Sequence, residues 1–297
     1  MITRINAAFA GMICLLSAVG ARADQPKDWQ MGLQEAATPI MHEIRWFEQY
    51  TLWFIVPVTL FVLVLLILVV AKFRASKNPV PSKTSHNTAI EIIWTLAPVL
   101  ILLFLAFPSF NLLNAQLTQP ENPDLTLKAT ATQWQWNYEY QAAEGSEPLA
   151  FDSYLLKDAD RAAAGKENRA IYPRLLAVDN EMVVPVNKTV RLLVTAAPTD
   201  VIHAFAMPAF GVKIDAVPGR LNETWFKTEK EGLYYGQCSE LCGKDHAFMP
   251  IAIRVVSEEQ YKTWAAAAAS DLSGANRALM ASVDGASALR VAANETN

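Results

Sequence analysis

The sequence predicts an N-terminal membrane-spanning α-helical hairpin followed by an all-β sandwich of Greek-key type. Three observations carry that prediction. Two uncharged apolar runs, each long enough to cross a bilayer, lie near the start. Alternation of apolar and polar residues with a period of two begins soon after them. Pro, Gly and Asn turns then punctuate a series of short apolar segments. A hydrophobic fraction of 52% and a mean hydropathy of +0.16 are high for a wholly soluble chain, as membrane spans require. The 297 residues hold such an anchor plus one domain of ordinary size. The net charge is −4 with no basic run, so nucleic acid is not an expected partner.

Residues 1–23 read as a cleaved secretory signal. Arg4 gives a positive start, residues 7–20 are small or apolar, and Ala21-Arg22-Ala23 suits a signal peptidase. That apolar core is short of the ~20 residues an uncleaved span needs. Cys14 leaves with the signal, so the mature chain keeps two cysteines. Residues 24–50 form an exported N-terminal segment.

The hairpin occupies 51–113. Thr51–Ala71 and Ile92–Asn111 carry no charge. Pro57 and Pro98 lie inside them, which membrane helices tolerate. The loop 72–90 carries Lys72, Arg74, Lys77 and Lys83 and no acid, so it is expected in the cytoplasm. Both ends of the mature chain then face outward, as the signal also demands. The expected home is a membrane, with the loop in the cytoplasm and the following domain on the exported side.

That domain is expected over 114–264. Leu125, Leu127 and Ala129 alternate with Thr126, Lys128 and Thr130. In Gln133–Tyr140 the rings of Trp134, Trp136, Tyr138 and Tyr140 share one face. Met182–Val186, Val190–Thr195, Thr224–Lys227, Leu233–Gly236 and Ile251–Val256 are further strands. Many short strands and no strong helix argue for a sandwich. Residues 151–173 read as a polar surface excursion. The tail 265–297 is alanine-rich and weakly helical, and its order is left open. It lacks Cys-x-x-Cys-His, so no c-type haem domain is fused there.

The chemistry concentrates in residues 236–249. Cys238, Cys242, His246 and Met249 fall within twelve residues, and His203 lies upstream. His203 and His246 are the only histidines after residue 86. A disulfide, a core histidine and a packing methionine would each be ordinary alone. Their coincidence at ligand spacing favours a metal centre. Thiolate, imidazole and thioether suit copper far better than magnesium or calcium. A blue-copper site uses one Cys, and here there are two. Two thiolates can bridge two copper ions, with one His ending each side and Met249 and the backbone carbonyl of a loop residue such as Glu240 as weak ligands. No coordination position stays open, so electron relay is expected rather than substrate chemistry. One metal loop between the last two strands, with a remote His from an earlier strand, is a cupredoxin-like arrangement.

These residues carry a family resemblance. Val201-Ile-His-Ala-Phe through Asp215-Ala-Val-Pro-Gly-Arg220, and Tyr235-Gly-Gln-Cys-Ser-Glu-Leu-Cys-Gly with His246 and Met249-Pro250, resemble cytochrome c oxidase subunit 2. The similarity runs over residues 30 to 264. It implies the binuclear copper centre called CuA, with His203, Cys238, Glu240, Cys242, His246 and Met249 as ligands. It implies a magnesium ion, shared with subunit 1, on the Glu240 side chain. It implies that Trp134 receives electrons from cytochrome c, and that Glu91 stands at a proton pathway into subunit 1. Implied partners are subunit 1, subunit 3, cytochrome c and copper-insertion chaperones.

Each residue also has an ordinary reading. Glu240 suits a solvated loop, Glu91 a helix N-terminus, and Trp134 a sandwich core. Ala131-Thr132 replaces the Gly-His usual in the family, and Gln135 an aromatic, so the docking surface around Trp134 is not carried over. Over residues 111–264 twenty acids face fifteen basic residues, an excess able to steer a basic donor. Asp179 and Asp200 are the first candidates for docking acids. Neither span contains His, so oxygen reduction is assigned to a partner subunit. A copper-free quinol oxidase subunit would not need the cysteines. A tethered copper chaperone would not need the Glu91 motif, and a nitrous-oxide reductase would need a second large domain.

Overall fold

The computed structural model describes residues 24–141 and 149–295, and side-chain environments as far as residue 283. The expected signal, 1–23 with Cys14, lies outside the described residues. Two helices come first: α1, Pro39–Phe73, and α2, Thr88–Leu117. At 1.5 Å per residue both exceed the ~30 Å of a bilayer's apolar core. Each contains a stretch long and apolar enough to cross a membrane. The helices extend beyond the expected spans at both ends, because polar flanks such as His42–Tyr50 continue the same hydrogen-bonded ladder. Asn87 caps α2, its side chain accepting from the Ala89 and Ile90 amides. Glu91 answers by accepting from the Asn87 amide at 3.3 Å, a reciprocal cap.

Among the described residues ten strands follow: β1 Leu125–Thr132, β2 Gln135–Tyr140, β3 Leu149–Ser153, β4 Met182–Pro185, β5 Thr189–Ala196, β6 His203–Met207, β7 Val212–Ala216, β8 Asn222–Lys227, β9 Gly232–Cys238 and β10 Pro250–Val256. They form two five-stranded sheets, ordered β3-β2-β1-β5-β8 and β4-β10-β9-β6-β7. The β1–β5 and β10–β4 pairs are parallel and the other pairs antiparallel. Leu127, Trp136, Tyr138, Leu192 and Val194 meet Met182, Phe205, Met207, Ile251 and Ile253 in the core. The first sheet alternates buried and half-exposed residues, because its other face meets solvent. The second sheet is buried on both faces along β4, β6 and β10.

What covers that outer face is the segment expected to be a polar surface excursion. After β3 the chain runs to residue 181 through a 3₁₀ turn at Asp158–Asp160. Leu156, Tyr172, Ala177 and Val178 bury against Leu233, Tyr235 and Ala252. Its charges are not all solvated. Lys166 is buried with its Nζ 2.9 Å from Glu181, and Arg254 of β10 pairs with the same carboxylate. Arg254 also donates to the Tyr172 hydroxyl at 3.1 Å. Arg161, likewise buried, donates to the Lys166 and Tyr172 carbonyls. Pairing offsets the desolvation that would otherwise keep these side chains outside.

The tail, whose order the sequence leaves open, is largely helical over its described residues. A capping box at Ser257 and Gln260 starts α3, Glu258–Ala268, and α4 spans Leu272–Glu295. Trp264, Ala268, Ala275 and Leu279 are buried. The Trp264 indole donates to Asn276 at 2.8 Å, and Asn276 donates to Asn180 at 3.1 Å. Alanine-rich composition thus serves close helix packing here. At the other end, Thr38 donates to the Phe210 carbonyl and accepts from the Met41 amide, so the residue capping α1 is fixed to the sandwich domain.

Candidate metal centre and its surroundings

The sandwich brings the expected donors together at one end. His203 begins β6, Cys238 ends β9, and residues 239–249 link β9 to β10. The β6–β9 pairing sets Phe205 opposite Cys238, which brings the start of β6 beside the end of β9. The Cys238 and Cys242 sulfurs lie 3.8 Å apart as buried free thiols. The His203 Nδ1 is 3.9 Å from the Cys238 sulfur, and the His246 Nδ1 is 3.4 Å from the Cys242 sulfur. The Met249 sulfur lies 3.6 Å from Cys242, and the Glu240 carbonyl 3.4 Å from Cys238. Each thiol therefore has one imidazole and one weak donor. His203, Cys238 and Cys242 are all buried, their ligand atoms within 4.8 Å of one another.

Electrostatics splits the two thiols. Burial pushes the Cys238 thiol up, but hydrogen bonding from His203 and the Ala204 backbone prevails and draws it down to about 6. Burial, joined by the charge of Cys238, holds Cys242 up at about 12. Only the thiolate ligates, so loading a metal expels the remaining proton. Two sulfurs, two imidazoles, a thioether and a carbonyl, with no carboxylate contacting the thiols, fit a thiophilic metal.

Asp200 organises this pocket from behind. Its carboxylate lies 3.3 Å from the His203 Nε2, turning Nδ1 toward the sulfur. It also accepts from the Gln133 and Val201 amides at 2.8 and 2.7 Å. Burial raises the Asp200 carboxyl, yet these donors hold it below its ordinary value. Its side chain is 11% exposed and lies behind the His203 ring. Asp179 is similarly engaged, accepting from the Tyr154 and Asn180 amides. The three-residue spacing from Asp200 to His203 was the available signal for this role.

Trp134 lies in the β1–β2 turn, outside the strand that holds Trp136, Tyr138 and Tyr140. Those three are buried, whereas Trp134 is half-buried. Its indole donates to the Cys242 carbonyl at 3.1 Å, and Gln133 donates to the same oxygen at 2.9 Å. Gly243 lets the ring lie that close: its φ is +118°, and a Cβ there would come 2.9 Å from the Trp134 ring. Lys244 stands over the ring, its Nζ 5.6 Å from the centroid. Beside the ring, Tyr154, Leu155, Lys157, Asp245 and Phe248 line an open cleft. Trp136 lies deeper and donates to the Met249 carbonyl at 3.3 Å. Glu240 is exposed, and Glu91 caps α2.

A pair of membrane-crossing helices joined to a cupredoxin-like sandwich with a soft-donor pocket defines a membrane-bound redox subunit. Family comparison narrows this. Residues 26–112 match the cytochrome C oxidase subunit II transmembrane domain, and residues 125–256 its periplasmic domain. The chain is 50% identical to a probable cytochrome c oxidase subunit 2 of Rickettsia bellii over 82% of this chain and 86% of that protein. It is 41% identical to cytochrome c oxidase subunit 2 of Cereibacter sphaeroides, over 88% and 90% of the two chains. The crystal structure of the periplasmic domain of subunit II of cytochrome oxidase of Bradyrhizobium japonicum is 58% identical, with a TM-score of 0.42, covering 50% of this chain and 94% of that one. The chain belongs to the cytochrome c oxidase subunit 2 family, and so to a haem–copper terminal oxidase, an oxidoreductase complex of the membrane.

Proposed function

We propose that this chain is the electron-accepting subunit of its oxidase, taking electrons from cytochrome c on the periplasmic side for haem in subunit 1. The observation that carries the proposal is the paired arrangement of donors, each of two adjacent thiols having its own imidazole. Cys238, Cys242, His203 and His246, with Met249 and the Glu240 carbonyl as weaker donors, would hold two copper ions. Copper held this way supplies one-electron redox chemistry with little change in bond lengths.

The protein's own residues do the rest. Asp200 fixes the His203 ring, and Trp136 fixes the Met249 backbone. Burial of both cysteines keeps water from the thiolates. Trp134 offers a partly exposed ring that donates a hydrogen bond to the Cys242 carbonyl, a short hydrogen-bonded path from the surface to that cysteine. The exposed Glu240 would give its carboxylate to a magnesium ion shared with subunit 1, since a hard oxygen donor suits that ion. Glu91 would stand at the entrance of a proton pathway into subunit 1, as oxygen reduction is coupled to proton translocation. Subunit 3 and copper-insertion chaperones complete the expected partners.

The test is copper stoichiometry with EPR on the purified chain. Two copper ions sharing one unpaired electron are expected. Hyperfine structure from a single copper nucleus, or a Cys238–Cys242 disulfide in metal-loaded protein, would overturn the assignment.

A further inference from the structure

The domain carries more acid than base, yet a cation is seated over the half-buried Trp134 ring. Lys244 holds its ammonium 5.6 Å from the Trp134 centroid, inside the range of cation–π attraction. Its side chain is 78% exposed, and its contact with Asp245 is 4.0 Å, the outer limit of an ion pair. The charge is thus held over the ring with only this long, exposed ion pair beside it. Lys157, also exposed, lines the cleft beside Trp134 together with Asp245. Long-range attraction and contact chemistry therefore have opposite signs here. The domain's acidic excess acts over the approach, and lysine acts at the ring.

We propose that Lys244 is a specificity-determining residue of electron transfer, setting a positive potential at the face of Trp134 that favours reductants carrying negative charge at the point of contact. The proposal rests on the reading of Trp134 as the electron port. A donor protein suited to this chain would place a carboxylate, or a carbonyl edge, against the ring, with basic residues outside that patch. A donor basic up to its redox edge would meet Lys244 as an obstacle. The electron balance is simple: the reductant loses one electron and the metal centre gains it.

One experiment needs no metal. Quenching of Trp134 fluorescence by iodide and by caesium is measured on the metal-free full chain in detergent, the Trp134 share being isolated by difference from Trp134→Phe. At ~6 Å in water and physiological salt, replacing one positive by one negative charge changes the iodide-to-caesium quenching ratio about tenfold. Lys244→Glu should lower that ratio by this factor, and Lys244→Gln by about a third of it. A ratio unmoved by either variant would overturn the proposal.

The second arm uses the assembled oxidase with copper loaded. Reduction by anionic ascorbate is compared with reduction by cationic hexaammineruthenium(II), which yield the ascorbyl radical and the ruthenium(III) ion. Lys244→Glu should shift the rate ratio toward the cation by a similar factor. If the quenching ratio moves, the rate ratio does not, and Trp134→Phe slows both reductants, Lys244 is rejected while the port reading stands. If Trp134→Phe leaves both rates unchanged, both fall.

Discussion

The carboxylate of Glu181 should carry a large share of the sandwich domain's stability, and its removal is the sharpest test of how the excursion is held. Glu181 is buried between Lys166 and Arg254. Burial alone would raise its carboxyl, but the two cations prevail and bring it down to about 2 from an ordinary 4.5. That difference corresponds to about 3 kcal/mol favouring the charged form in the folded state. Because the folded value lies below the unfolded one, this stability is fully present above the unfolded pKa. It is lost as pH falls from about 4.5 toward about 2. Glu181→Gln strands two buried cations and should cost about 3–5 kcal/mol at neutral pH. Urea unfolding of the detergent-solubilised chain, run at neutral pH and near pH 3, gives the comparison. Wild type should lose part of its advantage over the variant at the lower pH. A variant within about 1 kcal/mol of wild type at neutral pH, with the same acid profile, would refute the reasoning.

Trp134→Phe should load copper normally but accept electrons from cytochrome c far more slowly in rapid-mixing experiments. A core role would instead cost about 1–3 kcal/mol with transfer intact, and Trp136→Phe serves as the buried control. Asp200→Asn should weaken copper binding about 10–100-fold, read by competition with a chelator, because the His203 ring loses its charged partner. A cysteine replacing Ser82 should be labelled only from the cytoplasm, and one replacing Lys262, 71% exposed on α3, only from the periplasm. Labelling of both from one side would reassign a span. Glu91→Ala should slow turnover of the assembled oxidase without changing the copper spectrum. Unchanged turnover would leave Glu91 as the cap of α2 alone.

The clustering of soft donors was legible because the chain uses Cys and His so sparingly and sets them at loop spacing. The spans were legible as uncharged runs of sufficient length. Less legible were β3, β6 and β7. His203–Met207 reads as an unbroken apolar stretch, because the excursion covers the second sheet's outer face and removes the period-two signal. The excursion itself was misread for a related reason: sequence does not distinguish a solvated lysine from one paired under a tyrosine, as Lys166 is. Trp134 continues the alternation of Trp136 and Tyr138, so pattern alone starts β2 two positions too early, at Gln133 rather than Gln135. The turn at Gln133 and Trp134 contains neither Gly nor Pro to mark it.

Both faces of that turn matter to the site. Through Asp200 the Gln133 amide is tied to the His203 ring, while the Gln133 and Trp134 side chains share the Cys242 carbonyl. The exposed ring, one imidazole and one thiol thus belong to a single hydrogen-bonded frame, closed by residues from β6, the metal loop and the β1–β2 turn. Shifting any member displaces the others, because the donors available to the Cys242 carbonyl and to Asp200 come from neighbouring residues of the same turn. Gly243 and Lys244 complete the frame above the ring, the first by leaving room and the second by adding charge. On the proposed reading, the short loop that carries the candidate donors also shapes and charges the surface that an electron donor would meet. Substitutions at residues 243–245 should then alter partner preference while leaving Cys238, Cys242, His246 and Met249 in place.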